Sequence, residues 1–296
     1  MNIFYPRSLF VKVCATLFAF VSFILVWFVA DTGSKRTTPE DEIKVMTYNV
    51  RQYKIDIGTE HRSAPRVNEG IRVVLEELPD SLGCQESDFG WTVSMNIGLA
   101  TEYKCVSIGR DAGGAIGESC AIYYRFKKFR LLDCGTFWLS ETPEKISQGW
   151  DGACKRVCTW AMLENRETKE CYVHINTHLD HAGELAREYG TDMILDFAKQ
   201  FNVPVVVTGD FNLYEGDDLY YKMISGELKD SKYLANETMT GNTFHAYGSY
   251  NPNGRPIDYL FVSDGIEVSK YHIITERDSD FYYSDHFPVY IEMKLK

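Results

Sequence analysis

The chain has 296 residues, of which 45% are hydrophobic and 14% aromatic, so it is long enough to bury a sizeable core. Its formal net charge is −11 at pH 7, which argues against a broad basic surface of the kind that non-specific nucleic-acid binders use. An acidic domain is better suited to a small phosphorylated substrate whose charge is met by a metal ion, although charge alone leaves nucleic acid possible as a substrate.

The first 42 residues differ in composition from the rest of the chain. Residues 1–12 form a short tail, and residues 13–30 contain no charged side chain. Eighteen helical residues span about 27 Å, close to the roughly 30 Å of a bilayer core, so we predict one N-terminal transmembrane helix. A cleaved signal peptide is the alternative, although Phe28 and Ala30 match its cleavage pattern poorly. Residues 31–42 are polar and predict a linker to one domain at 43–296.

This N-terminal segment also sets the expected location of the protein. If the short tail stays inside the cell, the domain lies outside the cytoplasm. We therefore expect a membrane-anchored protein with its domain on the periplasmic side, or a secreted protein if the segment is cleaved.

The remaining residues alternate between strand-like and helix-like patterns. Apolar runs bounded by turn residues predict strands at residues 43–50, 79–86, 120–124, 129–139, 171–177, 203–208, 257–262 and 288–293. Helical spacing of apolar residues predicts helices at residues 67–78 and 185–201. Strands outnumber helices and their order is mixed, which predicts an α/β or α+β sandwich.

The strongest single signal is the run from Val203 to Thr208, which reads as a buried strand that Gly209 ends. Asp210 and Asn212 follow at a spacing of two, so in an extended chain their side chains leave the backbone on one side. A carboxylate that can act as a base beside an amide that can donate to a phosphate oxygen is a plausible hydrolytic pair. An ordinary Asp/Asn turn after a core strand is the alternative.

Asp210 and Asn212 belong to a larger set of polar residues that fall at or beside the ends of apolar runs. In a layered sheet protein such ends converge on one edge, which we call the rim. The residues in this position are Asn49, Glu86, His178, Asp210, Asn212, Asp258, Asp285 and His286.

Six segments, in this order along the chain, resemble the endonuclease/exonuclease/phosphatase family, which includes pancreatic-type deoxyribonucleases and inositol polyphosphate phosphatases. They are MTYNV, LGCQES, NTHLDH, VVTGDFNL, RPIDYLFVS and YSDHFPV. The resemblance extends from about Ile43 to the end of the chain. It implies a four-layer α/β/β/α sandwich, with two β-sheets face to face and helices outside.

The resemblance also implies a divalent metal site. Glu86 resembles the principal ligand of a catalytic cation, and a hard oxygen donor suits Mg²⁺ or Mn²⁺. Asn49 resembles the amide that completes this site, and Asp285 is a candidate second ligand.

The remaining matches resemble catalytic residues. Asp210 resembles the base that orients and deprotonates the attacking water, and Asn212 the donor to the phosphoryl oxygens. His286 resembles the imidazole that faces the phosphate, with Asp258 as the carboxylate that fixes its tautomer. Two more matches form a pair. His178 resembles the second histidine of the family, and Glu118 occupies the position of the carboxylate that orients this histidine.

The sequence therefore predicts a phosphomonoesterase or phosphodiesterase that acts on a small-molecule, sugar or lipid-headgroup phosphate. A nuclease of the same fold is one alternative, and a non-catalytic binding protein with a degenerate site is another. Arg110 and Arg156 are further candidates for contact with a substrate phosphate, with surface salt bridges as the alternative. His181 and His245 are further candidates for the rim.

Overall fold

The computed structural model describes residues 39, 41–56, 58–250, 254–276 and 281–296. Its strands are β1 (Ile43–Asn49), β2 (Ser81–Ser87), β3 (Tyr103–Val106), β4 (Ser119–Arg125), β5 (Phe129–Trp138), β6 (Val157–Asn165), β7 (Cys171–His178), β8 (Val205–Asp210), β9 (Lys229–Asp230), β10 (Glu237–Thr238), β11 (Asp258–Val262), β12 (Ile266–Ile273) and β13 (Val289–Leu295). Its helices are α1 (Ser63–Glu77), α2 (Phe89–Gly98), α3 (Glu184–Ala198), α4 (Asp218–Ile224) and α5 (Ser231–Leu234), with a 3₁₀ turn at Ala246–Gly248.

The strands form two mixed sheets. The first sheet has the order β10-β12-β13-β1-β2-β4-β3, and the second has the order β5-β6-β7-β8-β11-β9. In each sheet one pair of central strands is parallel, β1 with β2 and β7 with β8, and the strands that flank these pairs run antiparallel to them. The carboxyl ends of each central pair therefore lie at one edge of their sheet.

Three apolar clusters show that the molecule has four layers. Val45 of β1 and Val206 of β8 belong to a cluster between the sheets. Val74 of α1 belongs to a cluster on the outer face of the first sheet, and Ile194 of α3 to one on the outer face of the second. The two sheets with outer helices confirm the predicted α/β sandwich.

Local sequence explains where the helices next to the first sheet begin and end. The helix α1 ends before Leu78, which has a left-handed φ of 47° and precedes Pro79. The helix α2 begins after Asp88, whose carboxylate accepts hydrogen bonds from the backbone N–H groups of Gly90 and Trp91. The end at Pro79 was predicted, whereas α2 was not.

A buried polar seam joins the two sheets. The Asn176 amide of β7 donates to the carbonyl oxygens of Cys84 (2.9 Å) and Ala121 (3.0 Å) in the first sheet. Its Oδ1 accepts hydrogen bonds from Gln85 Nε2 (2.6 Å) and Thr208 Oγ1 (3.0 Å). Leaving one of these buried groups unpaired costs about 1–3 kcal/mol, so the seam favours one register of the sheets.

His174 lies in the same seam and has a structural role. Its ring nitrogens contact Ser81 Oγ at 3.0 Å and Thr208 Oγ1 at 2.8 Å. Burial lowers the pKa of His174 to about 3, so the ring is neutral at physiological pH.

Within the described ranges, no helix is long and apolar enough to cross a membrane. The predicted transmembrane segment at residues 13–30 lies outside those ranges, as do nearly all residues of the predicted 31–42 linker. Both stay predictions.

A substitution at Gly83 tests how closely the two sheets approach each other. A Cβ atom there would lie 2.4 Å from Thr208 Oγ1 and 2.6 Å from Asn176 Oδ1, within the seam. We predict that Gly83→Ala lowers the free energy of unfolding by at least about 2 kcal/mol, measured by urea denaturation, because overpacking and lost hydrogen bonds add. The matched control is Gly226→Ala, since no heavy atom lies within 4 Å of its added Cβ. Equal unfolding free energies for the two variants would contradict the close approach.

Candidate active site

The carboxyl ends of the two central strand pairs meet at the rim. In the first sheet Asn49 of β1 pairs with Gln85 of β2, and in the second His178 of β7 pairs with Asp210 of β8. A hydrogen bond joins the two sheets here, from Asn49 Nδ2 to Asp210 Oδ2 at 2.9 Å. The predicted convergence of Asn49 and Asp210, 161 residues apart in the chain, is therefore present in the fold.

The Asn49 side chain is fully buried and is the link between two carboxylates. Its amide also donates to Glu86 Oε1 at 3.1 Å, and its Oδ1 accepts a hydrogen bond from the backbone N–H of Arg51 at 3.0 Å. With both amide hydrogens in use, Asn49 holds Glu86 and Asp210 in fixed positions relative to each other.

Two of the predicted site residues have left-handed backbones. The φ angle is 56° at Glu86 and 49° at Asn212, and such residues typically cost about 1–3 kcal/mol and cluster at functional sites. Glu86 Oε2 accepts a hydrogen bond from the backbone N–H of Gln52. Asn212 Nδ2 donates to the carbonyl oxygen of Leu179, and its backbone N–H donates to Asp210 Oδ1, each at 3.0 Å.

Asp210 is buried at the centre of the cluster. Its Oδ2 lies 3.4 Å from His178 Nε2 and 3.7 Å from His286 Nε2. Burial, followed by the charge of Asp258, raises the pKa of Asp210 to about 7, against the opposing effects of His286 and the Asn49 hydrogen bond. A carboxylate whose pKa lies near neutrality is suited to accept a proton from water.

His286 and Asp258 form a buried pair. Asp258 of β11 lies directly opposite Asp210 of β8, and its Oδ2 is 2.8 Å from His286 Nδ1. Burial alone would lower the pKa of His286, but the charge and hydrogen bond of Asp258, with the charge of Asp210, raise it to about 10. The ring is therefore an imidazolium at neutral pH, and it donates through Nδ1 to Asp258.

His178 is in the opposite protonation state. Burial and then the charges of Arg156 and Arg110 hold the pKa of His178 well below its usual range, so its ring is neutral. Its Nδ1 is buried and has no hydrogen-bond partner among the described residues, so Glu118 does not orient the ring through this atom. Instead Arg110 Nη2 donates to Glu118 Oε1. Burial raises the pKa of Glu118 to about 7, although Arg110 opposes this effect.

Asp285 is buried at the rim and contacts Arg51. The Arg51 Nη1 atom is 3.2 Å from Asp285 Oδ2, and its Nε is 3.6 Å from Asp56 Oδ2. Burial raises the pKa of Asp285, opposed by His286 and Arg51, while the charge of Glu86 raises it further. Two carboxylates therefore contact the Arg51 guanidinium, and the charge of Glu86 also acts on it.

Arg51 was not predicted from the sequence. It has a left-handed φ of 56° and follows Asn49 at the same spacing of two that separates Asp210 from Asn212. That spacing beyond a strand end is the signal that could have identified it. Of the further candidates, His245 packs its ring against Tyr282 and Phe287, and its backbone N–H donates to the carbonyl oxygen of Asp285 at 2.9 Å.

Ligand atoms of Asp210, Asp258 and His286 lie within 4.8 Å of one another, close enough to hold a metal ion. However, the His286 ring is protonated and bonded to Asp258, which makes this set a poor ligand for a cation. The oxygens of Glu86, Asp285 and Asn49 are hard donors of the type that Mg²⁺ prefers. These residues fit a divalent cation because their oxygens are hard donors and because several carboxylates lie near Arg51.

A second group of possible ligands is Cys154, Asp180 and His181. Here the Asp180 carboxylate already accepts hydrogen bonds from the backbone N–H groups of Ala153 and Gly183 and from Arg156 Nε. Its oxygens therefore serve the local structure.

Comparison with known proteins identifies relatives of the chain. Residues 46–286 match the sequence model of the Endonuclease/Exonuclease/phosphatase family. A member of that family from Bacteroides thetaiotaomicron is 30% identical, with a TM-score of 0.81 over 86% of this chain and 98% of its own. A mannosyl-6-phosphatase from the same species is also 30% identical, with a TM-score of 0.81 over 85% of this chain and 99% of its own.

A more distant likeness concerns the fold alone. D. rerio TDP2, whose structure contains a single strand DNA product, is 16% identical, with a TM-score of 0.66 over 86% of this chain and 99% of its own. The search of curated proteins gives no match. The chain belongs to the Endonuclease/Exonuclease/phosphatase family and has the fold of a hydrolase that acts on phosphoester bonds.

Proposed function

We propose that the protein is a Mg²⁺- or Mn²⁺-dependent hydrolase that cleaves a small-molecule, sugar or lipid-headgroup phosphate by direct attack of water. The observation that carries this proposal is the Asn49 amide, which bonds both Glu86 and Asp210 and so places a hard oxygen ligand beside a buried base. Metal-assisted hydrolysis needs these two groups next to the same phosphorus atom.

Glu86 is the principal metal ligand in this proposal, and Asn49 and Asp285 complete the site. A bound divalent ion supplies neutralising charge to the phosphoryl oxygens. Arg51 contacts Asp285 and would have to share or leave this position when the ion is present, which its partly exposed side chain allows.

Asp210 is the general base. Its pKa of about 7 means that a large fraction is ionised at physiological pH while the carboxylate still holds a proton well. Asn49 Nδ2 and the backbone N–H of Asn212 each bond one of its oxygens, which fixes the carboxylate plane.

Donors to the developing charge lie around Asp210. The His286 imidazolium directs Nε2 into the site because Asp258 holds Nδ1. Asn212 uses one amide hydrogen on the Leu179 carbonyl and retains the second for a phosphoryl oxygen. The neutral His178 lies within 3.4 Å of the base and adds a polar group without adding charge.

Two observations support a small phosphorylated substrate. The net charge of −11 disfavours a long polyanion, and a relative that is 30% identical over most of both chains is a mannosyl-6-phosphatase. A nuclease is the second candidate, because D. rerio TDP2 with its DNA product has the same fold. A non-catalytic binding protein is the third, and the presence of every expected catalytic side chain weighs against it.

For its location, we propose that residues 13–30 tether the domain to a membrane, with the domain on the periplasmic side. The support is the uncharged 18-residue segment itself. Secretion after cleavage of that segment is the alternative.

We predict that the purified protein releases phosphate from sugar phosphates in Mg²⁺ or Mn²⁺ and loses this activity in EDTA. Glu86→Gln should lower kcat/KM by at least about 10²-fold, because the principal hard ligand loses its charge. The control is Glu227→Gln, an exposed carboxylate in a turn, which should keep wild-type kinetics. Full activity in EDTA or in Glu86→Gln would contradict the proposed metal site, and cleavage of plasmid DNA alone would favour the nuclease.

The charge state of His286 gives a second prediction, which needs no substrate. The His286 ring should titrate with a pKa of about 10 in NMR spectra of the metal-free protein. In Asp258→Asn the same pKa should fall by more than one unit, because the carboxylate that raises it is gone and burial lowers it. Asp264→Asn, at an exposed acid after β11, should leave it unchanged. A wild-type pKa near 6.5 would be inconsistent with the proposed imidazolium.

A further inference from the structure

A small cavity lies beside the catalytic carboxylates and contains two arginines that the mechanism above does not use. Its lining includes Glu86 and His178 from the site, together with Arg110, Glu118 and Arg156. Arg156 directly precedes β6, which pairs with β7, and Val157 of β6 and His178 of β7 both line the cavity. The cavity is therefore continuous with the position proposed for the phosphate.

Arg156 is almost fully buried, at 5% exposure, and two neighbouring side chains fix its guanidinium. Its Nε donates to Asp180 Oδ2 at 3.3 Å, and its Nη2 donates to His181 Nδ1 at 3.0 Å. Its Nη1 is buried and has no hydrogen-bond partner among the described residues. Because a guanidinium does not lose its proton in proteins, a permanent charge with an unused donor lines the cavity.

Asp180 fixes the direction of that guanidinium. Its Oδ1 accepts hydrogen bonds from the backbone N–H groups of Ala153, Ala182 and Gly183 at 2.8–3.1 Å. Burial alone would raise the pKa of Asp180, but these bonds lower it below its usual range and hold the carboxylate in one place. Arg156 is thus positioned before any ligand arrives, which lowers the entropic cost of binding.

Arg110 enters the cavity from the loop between β3 and β4. The base of this loop is closed by hydrogen bonds from Gly109 N to Gly114 O and from Arg110 N to Glu118 O. A Cβ atom at Gly109 would lie 2.2 Å from the carbonyl oxygen of Ile116, so the close approach requires glycine. Arg110 donates to Glu118 through Nη2, while its buried Nε has no partner among the described residues.

Two unused guanidinium donors in a confined space favour one kind of phosphate. A phosphomonoester ends in a phosphate of about −1.5 to −2 charge with three free oxygens. A diester carries one charge and has a second substituent where the monoester has an oxygen. Guanidinium groups bind phosphate oxygens with directional, charge-assisted hydrogen bonds, and a second substituent would have to displace Arg110 or Arg156.

We propose that Arg110 and Arg156 bind the terminal oxygens of the substrate phosphate and thereby make the enzyme selective for phosphomonoesters over phosphodiesters. This inference rests on the proposed function, since it assumes that the phosphorus atom lies next to Glu86 and Asp210. It also explains how a protein of net charge −11 binds a small dianion, because two guanidinium groups line the cavity beside the site.

The test compares p-nitrophenyl phosphate with bis(p-nitrophenyl) phosphate in Mn²⁺. We expect kcat/KM of the wild-type protein to be at least about 10²-fold higher for the monoester. Arg156→Gln and Arg110→Gln should each lower kcat/KM for the monoester by about 10²-fold and for the diester by less than about threefold, in line with the loss of one preorganised donor. Inhibition by orthophosphate should weaken by at least about tenfold in both variants.

The matched control is Arg130→Gln on β5, an exposed arginine that pairs with Glu164 and should leave both substrates unaffected. Arg156 also bonds Asp180 and so supports the loop around it. The thermal melting curve of Arg156→Gln is therefore compared with that of Arg110→Gln, because Arg110 makes no bond to Asp180. If Arg156→Gln unfolds, the Arg110→Gln ratio decides the outcome.

Equal losses for both substrates, or a wild-type preference for the diester, would overturn the inference and leave the proposed hydrolase intact. Absence of hydrolysis of both compounds and of sugar phosphates in every metal would overturn the proposed function together with it.

Discussion

The bond between the Asn49 amide and Asp210 is the interaction on which the site depends, and the buried seam beneath it makes that bond possible. Asn176 bonds the first sheet through the carbonyl oxygens of Cys84 and Ala121, so the sheets have little freedom to slide. A slip of one residue in any central strand would turn its side chains to the opposite face and separate the two carboxylates that Asn49 joins. The fold therefore supplies the geometry, and the strand ends supply the chemistry.

Burial then gives similar side chains different protonation states. His178 and His286 are both buried within 4 Å of Asp210, yet the first is neutral because burial and then the nearby arginines lower its pKa, and the second is charged because Asp258 bonds it. Asp210, between them, has a pKa of about 7. The site thus combines a base and a cationic donor at the same pH, which a solvent-exposed cluster of the same residues would not do.

Sequence patterns predicted the parts of this arrangement that depend on short segments. The apolar run of β8 and the spacing of Asp210 and Asn212 follow from local alternation. In contrast, the sequence did not predict β6, because both of its faces are apolar and periodicity does not distinguish it from a helix. The strand β12 was also missed, because a bulge between Val268 and Lys270 breaks its alternation. The partner of Glu118 was unpredictable because Arg110 reaches it through the shape of a loop. The membrane anchor at residues 13–30 stays a prediction.

The central claim is that a divalent ion binds at Glu86, beside the base Asp210 and apart from the Asp258–His286 pair. Anomalous diffraction from crystals of the protein soaked in Mn²⁺ tests it most directly. We predict a peak within about 2.5 Å of a Glu86 carboxylate oxygen, with His286 still bonded to Asp258. A peak between Asp258 and His286 instead, with none at Glu86, would contradict it.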